Sequence, residues 1–181
     1  MSDSAGFDLK SHIRTVPDFP KPGIMYRDIT TLLSHPKALA ESVRQLAAPW
    51  RAAGIDAVAG IDARGFIFGT AVAVELGVGF VPIRKKGKLP FETYEQDYAL
   101  EYGSDTLQIH ADAVVAKDRV LLIDDLIATG GTAAAAIALL NRTGCEIVGA
   151  TFLIDLPDLG GKAKVEAMGV SWSALMEFAG H

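Results

Sequence analysis

The chain has 181 residues, close to one domain at ~150 residues each, and it is long enough to bury ~70% of its unfolded surface without disulfides or a structural metal. Half of its residues are hydrophobic and 22% are charged, which excludes a disordered chain, a collagen and a coiled coil. Seventeen basic against 22 acidic residues leave a net charge of −5, with no basic excess to hold a long nucleic acid.

The N-terminus carries Asp3, Asp8 and Lys10 and shows no apolar signal segment. The longest uncharged stretch, 126–141, is shorter than the ~18 apolar residues of a membrane span and contains Thr129, Gly130, Gly131 and Thr132. A single cysteine, Cys145, cannot form an internal disulfide, and a cytoplasmic protein with no membrane and no nucleic-acid partner is expected.

In chain order, residues 16–28 contain Pro17, Pro20, Pro22 and Gly23 and read as an ordered loop. An amphipathic helix follows. Pro36 suits its first turn, Leu39, Val43, Leu46 and Trp50 share one face, and Pro49 should end or kink it. Residues 55–61 form an apolar run rich in Ile and Val. Arg64-Gly65 and an Ala/Val/Phe-rich helix come next, and Gly77 is the expected stop. Residues 80–83 are the next apolar run. Residues 87–98 show no helical period and read as a long charged lid loop. Residues 120–123 form a buried-strand run that Asp124-Asp125 ends. A small-residue loop, a helix over 132–141, Gly144 and a strand over 147–154 follow. The two strand–helix–strand units predict an α/β fold, a mainly parallel sheet flanked by helices, with ligands at the carboxyl ends of its strands.

The chemistry concentrates in Val120-Leu-Leu-Ile-Asp-Asp-Leu-Ile-Ala-Thr-Gly-Gly-Thr132. Ala128, Thr129, Gly130, Gly131 and Thr132 open a helix with small residues and hydroxyls, so backbone N–H groups and the helix dipole favour a phosphate. Asp124 and Asp125 would repel that phosphate unless they serve something else. Vicinal ribose hydroxyls or Mg2+ would fit. The loop therefore suits a sugar 5-phosphate whose diol faces the aspartates. A Walker loop fails because Gly65 is followed by Phe66, and a dinucleotide fingerprint fails because Pro82 stands where its third glycine belongs.

This string resembles the phosphoribosyl-diphosphate (PRPP) signature of the type I phosphoribosyltransferases. Four further stretches resemble the family's adenine-specific members, so that the likeness runs from about Ile13 to the C-terminus. They are Val16-Pro-Asp-Phe-Pro-Lys-Pro-Gly-Ile-Met-Tyr-Arg-Asp-Ile29, Gly60-Ile-Asp-Ala-Arg-Gly-Phe-Ile-Phe-Gly69, Arg84-Lys-Lys-Gly-Lys-Leu-Pro90 and Leu100-Glu-Tyr-Gly103. The resemblance implies transfer of the phosphoribosyl group of PRPP to N9 of adenine, with Mg2+ accompanying PRPP. It implies one domain over 1–181, with a base-binding hood over about 1–35 and a lid over about 87–103. Arg64, Arg84, Lys85 and Lys88 would meet pyrophosphate, some of them across a homodimer interface; Lys86 reads equally as a solvated loop residue. Met25, Tyr26 and Arg27 would build the adenine pocket, although Tyr26 alone also suits a core tyrosine. Glu101 would handle a proton at adenine N7 or N9, beside Tyr102 on the lid, with an exposed hairpin glutamate as the alternative. Asp124, Asp125 and Arg64 complete the catalytic set, and a non-proline cis peptide is implied at Asp62–Ala63. Phe91 departs from the family pattern in the lid. Other purine bases and a PRPP-sensing regulator are the competing functions; the chain's length and its lack of a basic helix-turn-helix segment argue against the regulator.

Overall fold

The computed structural model describes residues 7–99 and 103–180. Two short strands, β1 (Arg14–Pro17) and β2 (Met25–Asp28), pair antiparallel at the N-terminus. Arg14 and Asp28 close this hairpin with a 2.6 Å ion pair. The segment expected as a loop is thus strand at both ends, with its prolines and Gly23 confined mostly to the turn. A one-turn helix, α1 (Thr30–Leu33), leads into α2 (Pro36–Ala47). His35 caps α2, its Nδ1 accepting from the Ala38 N–H, and Pro36 occupies the first turn, where its missing donor has no cost. A short 3-10 turn over Ala48–Trp50 ends this helix at Pro49.

The main sheet then builds through β3 (Ala57–Ile61), α3 (Arg64–Leu76), β4 (Gly79–Lys85), β5 (Thr93–Ala99), β6 (Ser104–His110), β7 (Arg119–Ile127), α4 (Gly131–Thr143), β8 (Glu146–Asp155), α5 (Gly161–Ala167) and β9 (Trp172–Glu177). Its order is β5-β6-β4-β3-β7-β8-β9. The five strands from β4 to β9 across the sheet are parallel, and β6 and β5 add an antiparallel edge. Gly77 and Gly144, both with positive φ, stop α3 and α4 as expected.

Both faces of the sheet are covered. On one, Ala136, Ile137, Leu140 and Val165 from α4 and α5 bury against Leu122, Ala150 and Phe152. On the other, Leu46, Phe68 and Val72 from α2 and α3 bury against Val58, Leu121, Ile123 and Leu153. Truncating a fully buried phenylalanine such as Phe68 or Phe152 costs ~3–5 kcal/mol, so these two layers hold the strand ends in place.

Two expectations need correction. Residues 93–99 of the expected lid are a strand in full register with β6, from Thr93 opposite His110 to Ala99 opposite Ser104. Tyr94 and Tyr98 pack toward the core while Glu95 and Asp97 alternate with them, a period of two rather than an irregular loop. Asp124-Asp125 also do not end their strand: β7 continues to Ile127, because β8 keeps pairing as far as Ile127 opposite Asp155.

Candidate functional site

The carboxyl ends of β3 and β7 adjoin, and the helices that follow them leave on opposite faces of the sheet. A cleft of about 430 Å³ opens there. Its floor is Asp124 and Asp125, one wall is residues 128–132, and Arg64 and Lys85 reach it from the other side.

The wall is built from backbone. Gly130 adopts a φ of 74° at the cap of α4, no side chain caps that helix, and its first residues, Gly131, Thr132 and Ala133, line the cleft. Behind the loop, the Gly161 N–H donates to the Ala128 carbonyl at 2.9 Å. A Cβ on Gly161 would strike that same carbonyl. The start of α5 thus clamps the loop from behind, a contact that the string 120–132 does not reveal.

On the floor, the Asp125 N–H donates to Asp124 Oδ1 at 2.9 Å. Gly65, at the start of α3, has only hydrogen where a Cβ would lie 2.8 Å from Asp124 Oδ1, so helix and strand end approach closely. Burial and the neighbouring charge of Asp125 push the Asp124 carboxyl well above the ordinary range. Burial also raises Asp125, opposed by the Arg64 guanidinium. Carboxylates of raised basicity accept strongly from hydroxyl donors and are ready ligands for a hard cation.

Arg64 follows the end of β3, after a cis peptide at Asp62–Ala63 of the kind the resemblance implied. Its Nε lies 3.0 Å from Asp125 Oδ2. Its Nη1 donates to the Tyr26 hydroxyl at 3.0 Å. Lys85 lies at the end of β4 and pairs with Asp105 at 2.8 Å, which raises the Lys85 ammonium and lowers the Asp105 carboxyl. Tyr98 joins this wall, and burial pushes its phenol up, aided by Asp105.

Other expected residues lie outside the cleft lining. Arg84 donates from Nε to Asp62 at 3.1 Å and from Nη1 to the Lys88 carbonyl at 3.3 Å, and the Lys88 side chain is exposed. Lys86 pairs with Glu95 at 2.8 Å. Met25 and Tyr26 lie on β2. Arg27 turns its side chain away, donating to Thr15 Oγ1 and to the Ala179 carbonyl while its guanidinium sits 4.7 Å from the Phe178 ring centroid. Glu101 and Tyr102 lie outside the described residues. Burial raises the half-buried Cys145 thiol, which contacts the Leu140 carbonyl and not the cleft. Tyr98 in the cleft lining, Asp105 as the partner of Lys85 and Gly161 as the partner of the loop at Ala128 were missed by the sequence reading. The alternation of β5 was the signal for Tyr98.

Comparison with known proteins bears on the same cleft. The phosphoribosyl transferase domain matches residues 28–170. An adenine phosphoribosyltransferase of Maricaulis maris is 59% identical over 96% of this chain and 99% of its own. One from Rhodopseudomonas palustris is 57% identical over the full length of both. Among solved structures, the adenine phosphoribosyltransferase of Rhodothermus marinus superposes with a TM-score of 0.89 at 49% identity, covering 94% of this chain and 96% of that one. The Saccharomyces cerevisiae enzyme, solved with D-2,5-dideoxy-2,5-imino-altritol 1,6-bisphosphate and adenine, gives 0.87 at 35% identity over 93% and 96% of the two chains. The chain belongs to the adenine phosphoribosyltransferases of the type I phosphoribosyltransferase family.

Proposed function

We infer that the chain transfers the 5-phosphoribosyl group of PRPP to N9 of adenine, giving AMP and pyrophosphate in purine salvage. The observation that carries this reading is the cleft itself: two adjacent carboxylates, Asp124 and Asp125, face a helix-start loop of small residues. That pairing suits a ribose whose 5-phosphate enters the loop while its 2,3-diol faces the aspartates.

In this reading Ala128, Thr129, Gly130, Gly131 and Thr132 hold the 5-phosphate through N–H groups, hydroxyls and the α4 dipole. Asp124 and Asp125 accept from the ribose hydroxyls and offset the positive charge that grows on the sugar as the C1–oxygen bond to pyrophosphate breaks. Arg64 and Lys85 take up the charge of the departing pyrophosphate, with Arg84 and Lys88 at the mouth. The ring of Tyr26 offers an aromatic face to the purine, and the backbone near Met25 and Arg27 reads its N1/N6 edge. Glu101 handles the proton that N9 or N7 of adenine must lose or share, and Tyr102 beside it helps exclude water, the competing nucleophile.

Mg2+ fits the same floor. Among the described residues no three His, Cys, Asp or Glu side chains gather to hold a metal alone, whereas Asp124 and Asp125 supply two oxygen donors beside a polyanion site. Mg2+ brought with PRPP would supply Lewis-acid assistance to the leaving group.

The working form is a homodimer, a reading supported by the family and by Ile67 and Val74 of α3, apolar yet 41% and 77% exposed. We assign the protein to the cytoplasm, on its lone cysteine and its metabolite substrates; among the described residues no helix is long and apolar enough to cross a membrane.

The test supplies PRPP and Mg2+ with each of adenine, hypoxanthine, guanine, xanthine and orotate, and follows pyrophosphate release. Adenine is expected to react fastest. No release with adenine, or faster release with an oxo-purine, overturns the substrate assignment.

A further inference from the structure

Tyr26 stands on the N-terminal hairpin and Arg64 at the carboxyl end of β3, yet the two side chains meet. The Tyr26 hydroxyl accepts from Arg64 Nη1 at 3.0 Å, and the guanidinium carbon lies 5.7 Å from the tyrosine ring centroid. Phe19 packs edge-on against the same ring, with centroids 5.1 Å apart and planes at 75°, which fixes the ring's tilt. On its other side, Arg64 Nε faces Asp125 Oδ2 at 3.0 Å, but this buried oxygen accepts no aligned hydrogen bond. The ion pair therefore supplies attraction and little direction. The hydroxyl supplies the direction.

An arginine side chain that is 38% exposed has many rotamers open to it, and a phosphate-binding fork works only in a narrow range of them. We propose that the Tyr26 hydroxyl is a positioning group that aims the Arg64 guanidinium into the PRPP cleft, so that the base-stacking ring and the pyrophosphate-binding arginine act as one unit. With Nε held toward Asp125 and Nη1 toward Tyr26, Nη2 is the arm left to meet phosphate oxygens. A phenylalanine at this position would keep the stacking face and lose the aim. The proposal rests on the phosphoribosyl-transfer reading above and adds to it a role for one oxygen atom.

The test is a double-mutant cycle with Tyr26→Phe, Arg64→Gln and the combined variant. Dissociation constants for PRPP with Mg2+ are measured by calorimetry without base, and kcat and KM for both substrates in the steady state. Tyr26→Phe is expected to weaken PRPP by about 3–10-fold, the effect of one net hydrogen bond, with the KM for adenine changed by less than about twofold. In the Arg64→Gln background the same change is expected to shift PRPP affinity by less than about 1.5-fold, because the group it aims is gone. Arg64→Lys serves as a second background if the glutamine variant does not fold. Unchanged PRPP affinity in Tyr26→Phe, or equal weakening in both backgrounds, overturns the proposal. A wild-type protein that makes no AMP overturns the functional reading instead, so the two failures are told apart.

Discussion

At the floor of the cleft, desolvation makes Asp124 and Asp125 harder to ionise than ordinary carboxylates, and the neighbouring charge of Asp125 adds to this for Asp124. The folded chain therefore binds their protons more tightly than the unfolded chain does. For an acid whose pKa is raised on folding, the resulting stability is full at and below the ordinary carboxylate range. It is lost as pH rises through the folded value. Asp124→Asn removes that loss and leaves a carbonyl to accept from the Asp125 N–H. It should raise the melting temperature at pH 7 by roughly 2–4 °C, the shift expected from ~1 kcal/mol in a chain of this size. The gain should fade below about pH 4, and thermal scans across pH decide it. A lower melting point at pH 7 would contradict the strain assigned to the pair. Asp125→Asn takes the counter-charge from Arg64 and weakens the acceptor facing the diol. Turnover should fall at least ~10-fold and the KM for PRPP should rise, as for loss of a hydrogen bond to a charged group. Unchanged kinetics would remove Asp125 from the site. For Glu101→Gln, the loss of a general acid–base group predicts a drop in kcat of ~10²–10⁴-fold with a smaller change in adenine affinity. A change confined to KM would make Glu101 a binding residue.

At the scale of elements, the phosphate loop depends on a helix that contributes no side chain to it. A methyl group on Gly161 would drive into the Ala128 carbonyl and come within 2.9 Å of the Gly130 nitrogen. Overpacking of this kind costs ~1–3 kcal/mol, so Gly161→Ala should lower the melting temperature by several degrees and weaken PRPP with it. A titration showing normal PRPP affinity would separate the clamp from the loop's function. This contact also illustrates what the sequence could and could not disclose. The two strand–helix–strand units were legible because buried parallel strands are continuous apolar runs and because Gly77 and Gly144 stop their helices. The cleft floor was legible because its residues are consecutive. Gly161 was not, since its partner lies some thirty residues away and no local pattern records a backbone contact. The edge hairpin β5–β6 was missed for a different reason: in a half-exposed strand, alternating Tyr and acidic residues read as a charged loop when the window is tested for helical period. Phe91 is 66% exposed just before this hairpin, with its ring 6.4 Å from that of His110. The Arg27 guanidinium is engaged by Thr15 and the Ala179 carbonyl, which is compatible with the backbone role expected for this residue.

For the whole molecule, the order β4-β3-β7-β8 explains why a cleft opens between β3 and β7. The chain leaves β3 toward one face and β7 toward the other, so the sheet's edge gapes between them without further design. The outer side of α3 carries the exposed Ile67 and Val74. Sedimentation is expected to give twice the mass of one chain, and Val74→Glu should shift the population toward monomer; a monomeric wild type at micromolar concentration would exclude this face as an interface. The cations in and beside the cleft are not bare. Arg64, Arg84 and Lys85 each face a carboxylate of the same chain: Asp125, Asp62 and Asp105. The mouth is thus an ion exchanger carrying its own counter-ions. An arriving polyanion trades places with carboxylates instead of condensing onto bare charge. Affinity should then depend on ionic strength less steeply than three cations alone would dictate, and selectivity should come from geometry that Asp62, Asp105 and Asp125 cannot imitate. A protein of net charge −5 can in this way hold a substrate more anionic than most of its surroundings without becoming a general trap for phosphates.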